Sequence, residues 1–327
     1  MFARALTFSQ GLVKPVVMRK ILALAAVLSL SSTGCIKSML LNGQIEATRK
    51  ASPAVDTIAD YELARVAASG GLAQLEGMHR LAPNNKNALF MLNKTWAGYG
   101  YGFVEDDYEA ALADGKEALA EYHRKRAKNA YDRSIFYGLE LMSHEASGFN
   151  DVKDDEKKLK AWLEKNFTDK EDAGVLFWTG YAWLAKTGLY REDNELMSFM
   201  HVAVTLLERS RALDPEYNHY TATVALASYR ARSPMAGEME QAKLLFDEAL
   251  KAAGATNLAV KFAYATRYYC SLTQEGPYDA MLKDVLEAED PDPEQRLTNT
   301  VTKRRAVRWS SAHWKADNCS MRGKASK

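Results

Sequence analysis

The sequence predicts an all-α protein. Apolar residues recur at three- and four-residue spacings along most of the chain. Proline and glycine fall between the periodic segments. No run of alternating β-branched residues marks a strand. The elements follow in order. Ser52 suits an N-cap and Pro53 a first turn, so a helix is expected from about 55 to 69, interrupted at Gly70-Gly71. Leu72, Leu75, Met78 and Leu81 stripe the next segment, which ends at Ala82-Pro83-Asn84-Asn85. Over 88–101, Leu89, Leu92, Trp96 and Tyr99 share a face. A further helix carries Ala110, Leu112, Ala118 and Ala120, and another covers 131–142 with Ile135, Leu139 and Met142. The polar stretch 143–156 reads as the longest loop. Helices resume at 157–165, 173–187 and 195–211, the last striped by Leu196, Met200, Val204 and Leu207. The remaining ones span 217–231, 239–253, 258–271, 277–288 and 294–309. About a dozen helices in antiparallel hairpins are the expectation.

The hairpins have a repetitive flavour. In Ala242 to Ala252, small residues at Ala242 and Ala249 flank the large Phe246, which lets neighbouring helices approach closely. This is the habit of the second helix of a tetratricopeptide repeat, whose period is about 34 residues. The stretch Gly71 to Pro83 behaves alike. No unit carries the full repeat pattern, so a non-repetitive bundle stays open as the alternative.

Met18 to Cys35 has another character. Arg19-Lys20 precede a ten-residue apolar run, Ile21 to Leu30, then Ser31-Ser-Thr-Gly34 and Cys35. Ten residues are too few to span a bilayer, which takes about 20. They suit the h-region of a secretory signal. Small residues before Cys35 resemble a bacterial lipobox, although Ser32 stands where leucine is usual. The expectation is cleavage before Cys35 and lipidation of its thiol. Two or three acyl chains hold a protein firmly on a membrane, where one binds only marginally. With no Asp after Cys35, the outer membrane facing the periplasm is the expected location. Residues 1–17 fit this signal poorly, so Met18 is the expected start. The resulting organisation is 1–34 upstream extension and signal, 35–52 anchor and linker, 53–312 helical domain, and 313–327 flexible tail.

Without residues 1–34 the chain keeps 39 basic against 42 acidic residues, a net charge of −3. A nucleic-acid binder shows a concentrated basic face, which is not read here. Cys270 and Cys319 are the two cysteines after Cys35. A buried free thiol at Cys270 and a frayed tail around Cys319 are favoured over a disulfide, although an oxidising compartment permits pairing.

No cofactor, metal or catalytic motif is read. His144-Glu145 begins like H-E-x-x-H, but Gly148 stands in the fifth position. Glu76 and Glu145 are candidate acids for a wall-cleaving enzyme; a solvated or capping glutamate is the ordinary expectation for each. Trp96, Tyr99, Tyr101, Phe177, Trp178 and Tyr181 are candidates for lining a ligand cavity, against the ordinary reading as core aromatics. Gly98, Gly100 and Gly102 alternate with tyrosines, which fits close helix packing and not a phosphate loop. Arg230, Arg304 and Arg305 are candidates for contact with an anion or a partner, against solvated helix faces.

Six segments in order carry a resemblance to a known family. They are Gly70 to Gly77 with Pro83-Asn84, Trp96 to Phe103, Val175 to Trp183, Leu207-Glu-Arg with Leu213-Asp-Pro, Ala242 to Leu250 with Asn257-Leu258, and Arg296 to Asn299 with Lys303 to Ala306. Together they resemble the TatT component, the tetratricopeptide-type lipoprotein of tripartite ATP-independent periplasmic (TRAP) transporters. The resemblance implies tetratricopeptide-like hairpins in one superhelical domain around a central cavity. It also implies association with the transporter's periplasmic solute-binding subunit, homo-oligomers, and an apolar or organic-acid small-molecule ligand. A scaffold lipoprotein for outer-membrane or secretion-system assembly is the alternative, since such hairpins commonly bind peptides.

Overall fold

The computed structural model describes residues 37–232 and 236–321. The signal segment and Cys35 lie outside them. Among the described residues every regular element is helical. Helix α1 covers 37–51 and runs into a 3-10 turn at Ser52–Thr57. Then come α2 (Tyr61–Leu81), α3 (Lys86–Tyr99), α4 (Glu105–Ala113), α5 (Glu117–Ser143), α6 (Phe149–Val152), α7 (Glu156–Asn166) and α8 (Ala173–Leu189). The second half holds α9 (Asn194–Ser198), α10 (Met200–Leu213), α11 (Thr221–Arg230), α12 (Ala236–Ala253), α13 (Leu258–Ala263), α14 (Glu275–Glu287), α15 (Arg296–Trp309) and α16 (Ala312–Cys319). Neighbours along the chain pack on one another: α2 on α3, α8 on α10, α11 on α12, α13 on α14. Helix α5 lies between α3 and α8, and α15 returns to touch α2, α4 and the first 3-10 turn.

Several boundaries depart from expectation, each for a visible reason. Helix α2 runs unbroken through Gly70-Gly71. Its buried stripe Tyr61, Ala64, Leu72, Leu75 and Met78 outweighs the ~1 kcal/mol a helical glycine costs relative to alanine. Ala110 and Ala118 sit on different helices, because Gly115 takes φ +68° and turns the chain between α4 and α5. The stretch 195–211 is broken at Phe199 (ψ 9°), whose ring packs near Trp183 at 6.3 Å. Helix α11 starts at Thr221 because Asn218, His219 and Tyr220 all have φ between 48° and 63°. The loop at 143–156 contains α6.

The C-terminal expectation is corrected. Cys270 and Cys319 form a disulfide, and residues 312–319 are helical. Trp314 and Met321 bury against a cluster that includes Trp309, Tyr278 and Leu282, which seats Cys319 beside Cys270. Ser311 caps α16 through the Trp314 amide, and Lys315 reaches Glu275 and Asp279. Apolar burial beside the cysteines holds the segment that its polar surroundings suggested would fray.

Candidate functional site: an aromatic-walled hollow

A hollow of about 620 Å³ opens between α2, α3, α8, α11, α13 and α15. That volume falls in the ~300–1,000 Å³ range of small-molecule sites. Two π-helical stretches border it: Gly100–Val104 after α3 and Tyr264–Tyr269 after α13. A π turn carries an extra residue, which re-aims the side chains around it. Here the first offers Tyr101 and Phe103 to the hollow, and the second Thr266 and Arg267. The glycine pair before them divides its work. A Cβ on Gly100 would meet the Tyr131 ring at 2.9 Å, so α3 and α5 approach through that gap. A Cβ on Gly98 would meet nothing within 4 Å, so this glycine leaves room in the hollow itself.

Five of the six aromatic candidates border this one space: Tyr99, Tyr101, Phe177, Trp178 and Tyr181. Phe177 lies 4.7 Å from Trp178 and 5.7 Å from Tyr181 between ring centres, and Tyr101 meets Tyr181 edge-on at 5.8 Å. Trp178 donates its indole N–H to the Tyr217 hydroxyl at 3.0 Å, which fixes the ring at the wall. Trp96 does not border the hollow. Its indole donates to Glu76 at 2.8 Å, and Glu76 lines a separate surface recess with Arg133 and Tyr137. Burial pushes the Glu76 carboxyl up, but donors from Arg133, Tyr137 and Trp96 outweigh it and hold the group below its usual range. Glu76 is thus kept ionised, which suits an anchor and not a general acid at neutral pH. Glu145 pairs with Lys86 at 2.6 Å on the surface.

All three arginine candidates have internal partners. Arg230 bonds Glu238 at 2.7 Å and Glu208 at 3.1 Å. Arg304 reaches Asp106 at 3.2 Å, and its guanidinium lies 3.8 Å from the Tyr61 ring centre. Arg305, 1% exposed, grips Glu109 with two nitrogens at 2.6 and 3.0 Å and Glu105 at 3.1 Å. Arg308 completes the cluster with bonds to Asp106 and Glu109. Tyr131 donates to Glu105, and Tyr61 to Asp106 at 2.9 Å. Burial pushes the Glu109 carboxyl up, yet the charges of Arg305 and Arg308 and the bonds from Arg305 hold it at about 2.

Three other arginines border the hollow: Arg232, which the sequence reads with Arg230 as a basic residue at a helix C-terminus, and Arg191 and Arg267, which sequence reasoning did not single out. A signal for them existed. Along α8 the hollow-facing positions Tyr181, Ala185 and Gly188 lead at helical spacing to Arg191, and along α11 Thr221, Ala225 and Ser228 lead to Arg232. None has an ion-pair partner among the described residues, and the remaining segments contain no Asp or Glu.

The class this construction defines is a protein whose described residues form only helices around an aromatic-walled hollow. The family described as TRAP transporter T-component matches residues 57–313, and the chain belongs to that family. The chain is therefore an accessory component of a TRAP transporter, on its periplasmic side. A protein of Treponema pallidum (strain Nichols), described as an uncharacterized protein, is 27% identical over 244 residues, covering 73% of this chain and 74% of that one. No helix among the described residues is long and apolar enough to cross a membrane.

Proposed function

We propose that the protein is a non-enzymatic periplasmic lipoprotein, anchored through Cys35 to the outer membrane. It binds the solute-binding subunit of a TRAP transporter and holds an organic ligand with an apolar body in its hollow. The observation that carries the reading is the aromatic-walled hollow in a chain of the T-component family. Its mechanism is binding: shape and aromatic surface, with no bond made or broken. Pairwise packing of successive helices supports tetratricopeptide-like hairpins as the frame, and such frames serve as docking surfaces. The protein acts as a homo-oligomer in this reading and binds no nucleic acid.

The test is capture of partners from periplasmic extract by the mature protein, identified by mass spectrometry. A TRAP-type solute-binding protein is the expected partner. Recovery of outer-membrane assembly proteins with no solute-binding protein would replace this reading with that of an assembly scaffold.

A further inference from the structure

Arg191, Arg232 and Arg267 meet at the hollow from three different elements: the end of α8, the end of α11, and the π stretch after α13. All three line the same hollow, and Arg191 and Arg232 each feel charge from others of the three. Arg191 is pushed down by burial and by Arg267, and Arg232 is pushed well down by burial, Arg267 and Arg191. Arginine does not deprotonate in proteins, so the positions are unfavourable while three positive charges stand uncompensated. Arg191 and Arg232 are nevertheless exposed while also lining the hollow, so they stand where it meets solvent. The Gly188 position brings the α8 backbone close to Arg232: a Cβ there would lie 3.5 Å from the guanidinium. The carboxylate that acts on Arg232, Glu105, is committed to Arg305 and Tyr131.

Cations after helix C-termini favour the dipole, and that explains one charge at each of two helices. It does not explain why three border one hollow with no ion pair of their own, when the carboxylates beside them in the lining, Glu105 and Glu109, are already paired with Arg305 and Arg308. Guanidinium groups are the side chains best shaped for a carboxylate, through paired N–H donors. The same hollow is also lined by the adjoining rings of Phe177, Trp178 and Tyr181.

We propose that Arg191, Arg232 and Arg267 form the anion subsite of the hollow, which takes an amphipathic carboxylate with its headgroup on the arginines and its hydrocarbon body along the Phe177–Trp178–Tyr181 wall. The inference rests on the reading of the hollow as a ligand chamber.

Calorimetric titration of the mature protein with decanoate, 1-decanol, decyltrimethylammonium and acetate tests it. Decanoate is expected to bind about ten-fold or more tightly than each of the others. Arg232→Gln and Arg191→Gln are each expected to weaken decanoate about ten-fold, the loss of a charge-assisted pair. Arg232→Lys, which keeps the charge, should retain part of the affinity. Circular dichroism and melting curves confirm that each variant folds, and the two glutamine variants check one another. If decanol binds as well as decanoate, or the glutamine variants keep full decanoate affinity, the anion subsite is overturned while the apolar chamber stands. If none of the chain-bearing probes binds the wild type, the chamber reading itself falls and the subsite with it.

Discussion

Six arginines fall into two sets that are treated in opposite ways. Arg304, Arg305 and Arg308 meet Glu105, Asp106 and Glu109 in a closed network that joins α15 to α4. Arg191, Arg232 and Arg267 have no carboxylate of their own among the described residues. The first set spends its charge inside the molecule, and the fold depends on it. The second keeps its charge available, and the fold tolerates it. The second set is the one that a bound anion would complete.

The largest expected effect comes from breaking the closed set. Arg305→Ala removes the two-nitrogen grip on Glu109 and the bond to Glu105, leaving those carboxylates with only Arg308 and Tyr131 in a largely buried site. It should lower unfolding free energy by about 3–5 kcal/mol in urea titration, since breaking a buried pair leaves an uncompensated charge. Stability unchanged by that variant would erase the distinction between the two sets.

Acid probes the same network more gently. The folded Glu109 carboxyl titrates at about 2, below its ordinary value of 4.5. A depressed carboxylate contributes stability that is complete above the unfolded value and lost as pH falls through the folded one. Urea midpoints should therefore decline between about pH 4.5 and pH 2, by a total on the order of 3 kcal/mol from this group. Glu109→Gln should flatten part of that decline, measured against the wild type over the same range.

The smallest effect belongs to the open set. Arg232→Gln or Arg191→Gln should change unliganded stability by less than about 1 kcal/mol, and toward greater stability, because each removes repulsion among like charges. A loss as large as that at Arg305 would mean the open set is structural after all.

Much of the fold was legible because helical period and breaker placement are local properties. What sequence misjudged was the balance between local preference and packing. Gly70-Gly71 reads as a break, yet lies in a helix held by Leu72 and Leu75. Phe199 reads as helix, yet interrupts one. The site was legible in part for a related reason. Aromatic residues at helical spacing put Tyr99, Phe177 and Tyr181 on one wall, but Trp96, one turn before Tyr99, is captured by Glu76 from a different helix. Density of basic residues pointed to Arg304 and Arg305, whose partners lie 196 to 200 positions away. Ion pairing over such distances leaves no local trace, so sequence could not tell the paired Arg230, Arg304 and Arg305 from the unpaired Arg191, Arg232 and Arg267.

The return of α15 onto α4 sets the order in which the molecule can be finished. Synthesis proceeds from the N-terminus, and early segments begin to fold before late ones exist. Glu105, Asp106 and Glu109 emerge roughly 200 residues ahead of the guanidinium groups that neutralise them. Until then α4 carries three carboxylates destined for a dry interior, with hydration as their alternative. That seam can close only once α15 is present, whatever the rest of the chain has already formed.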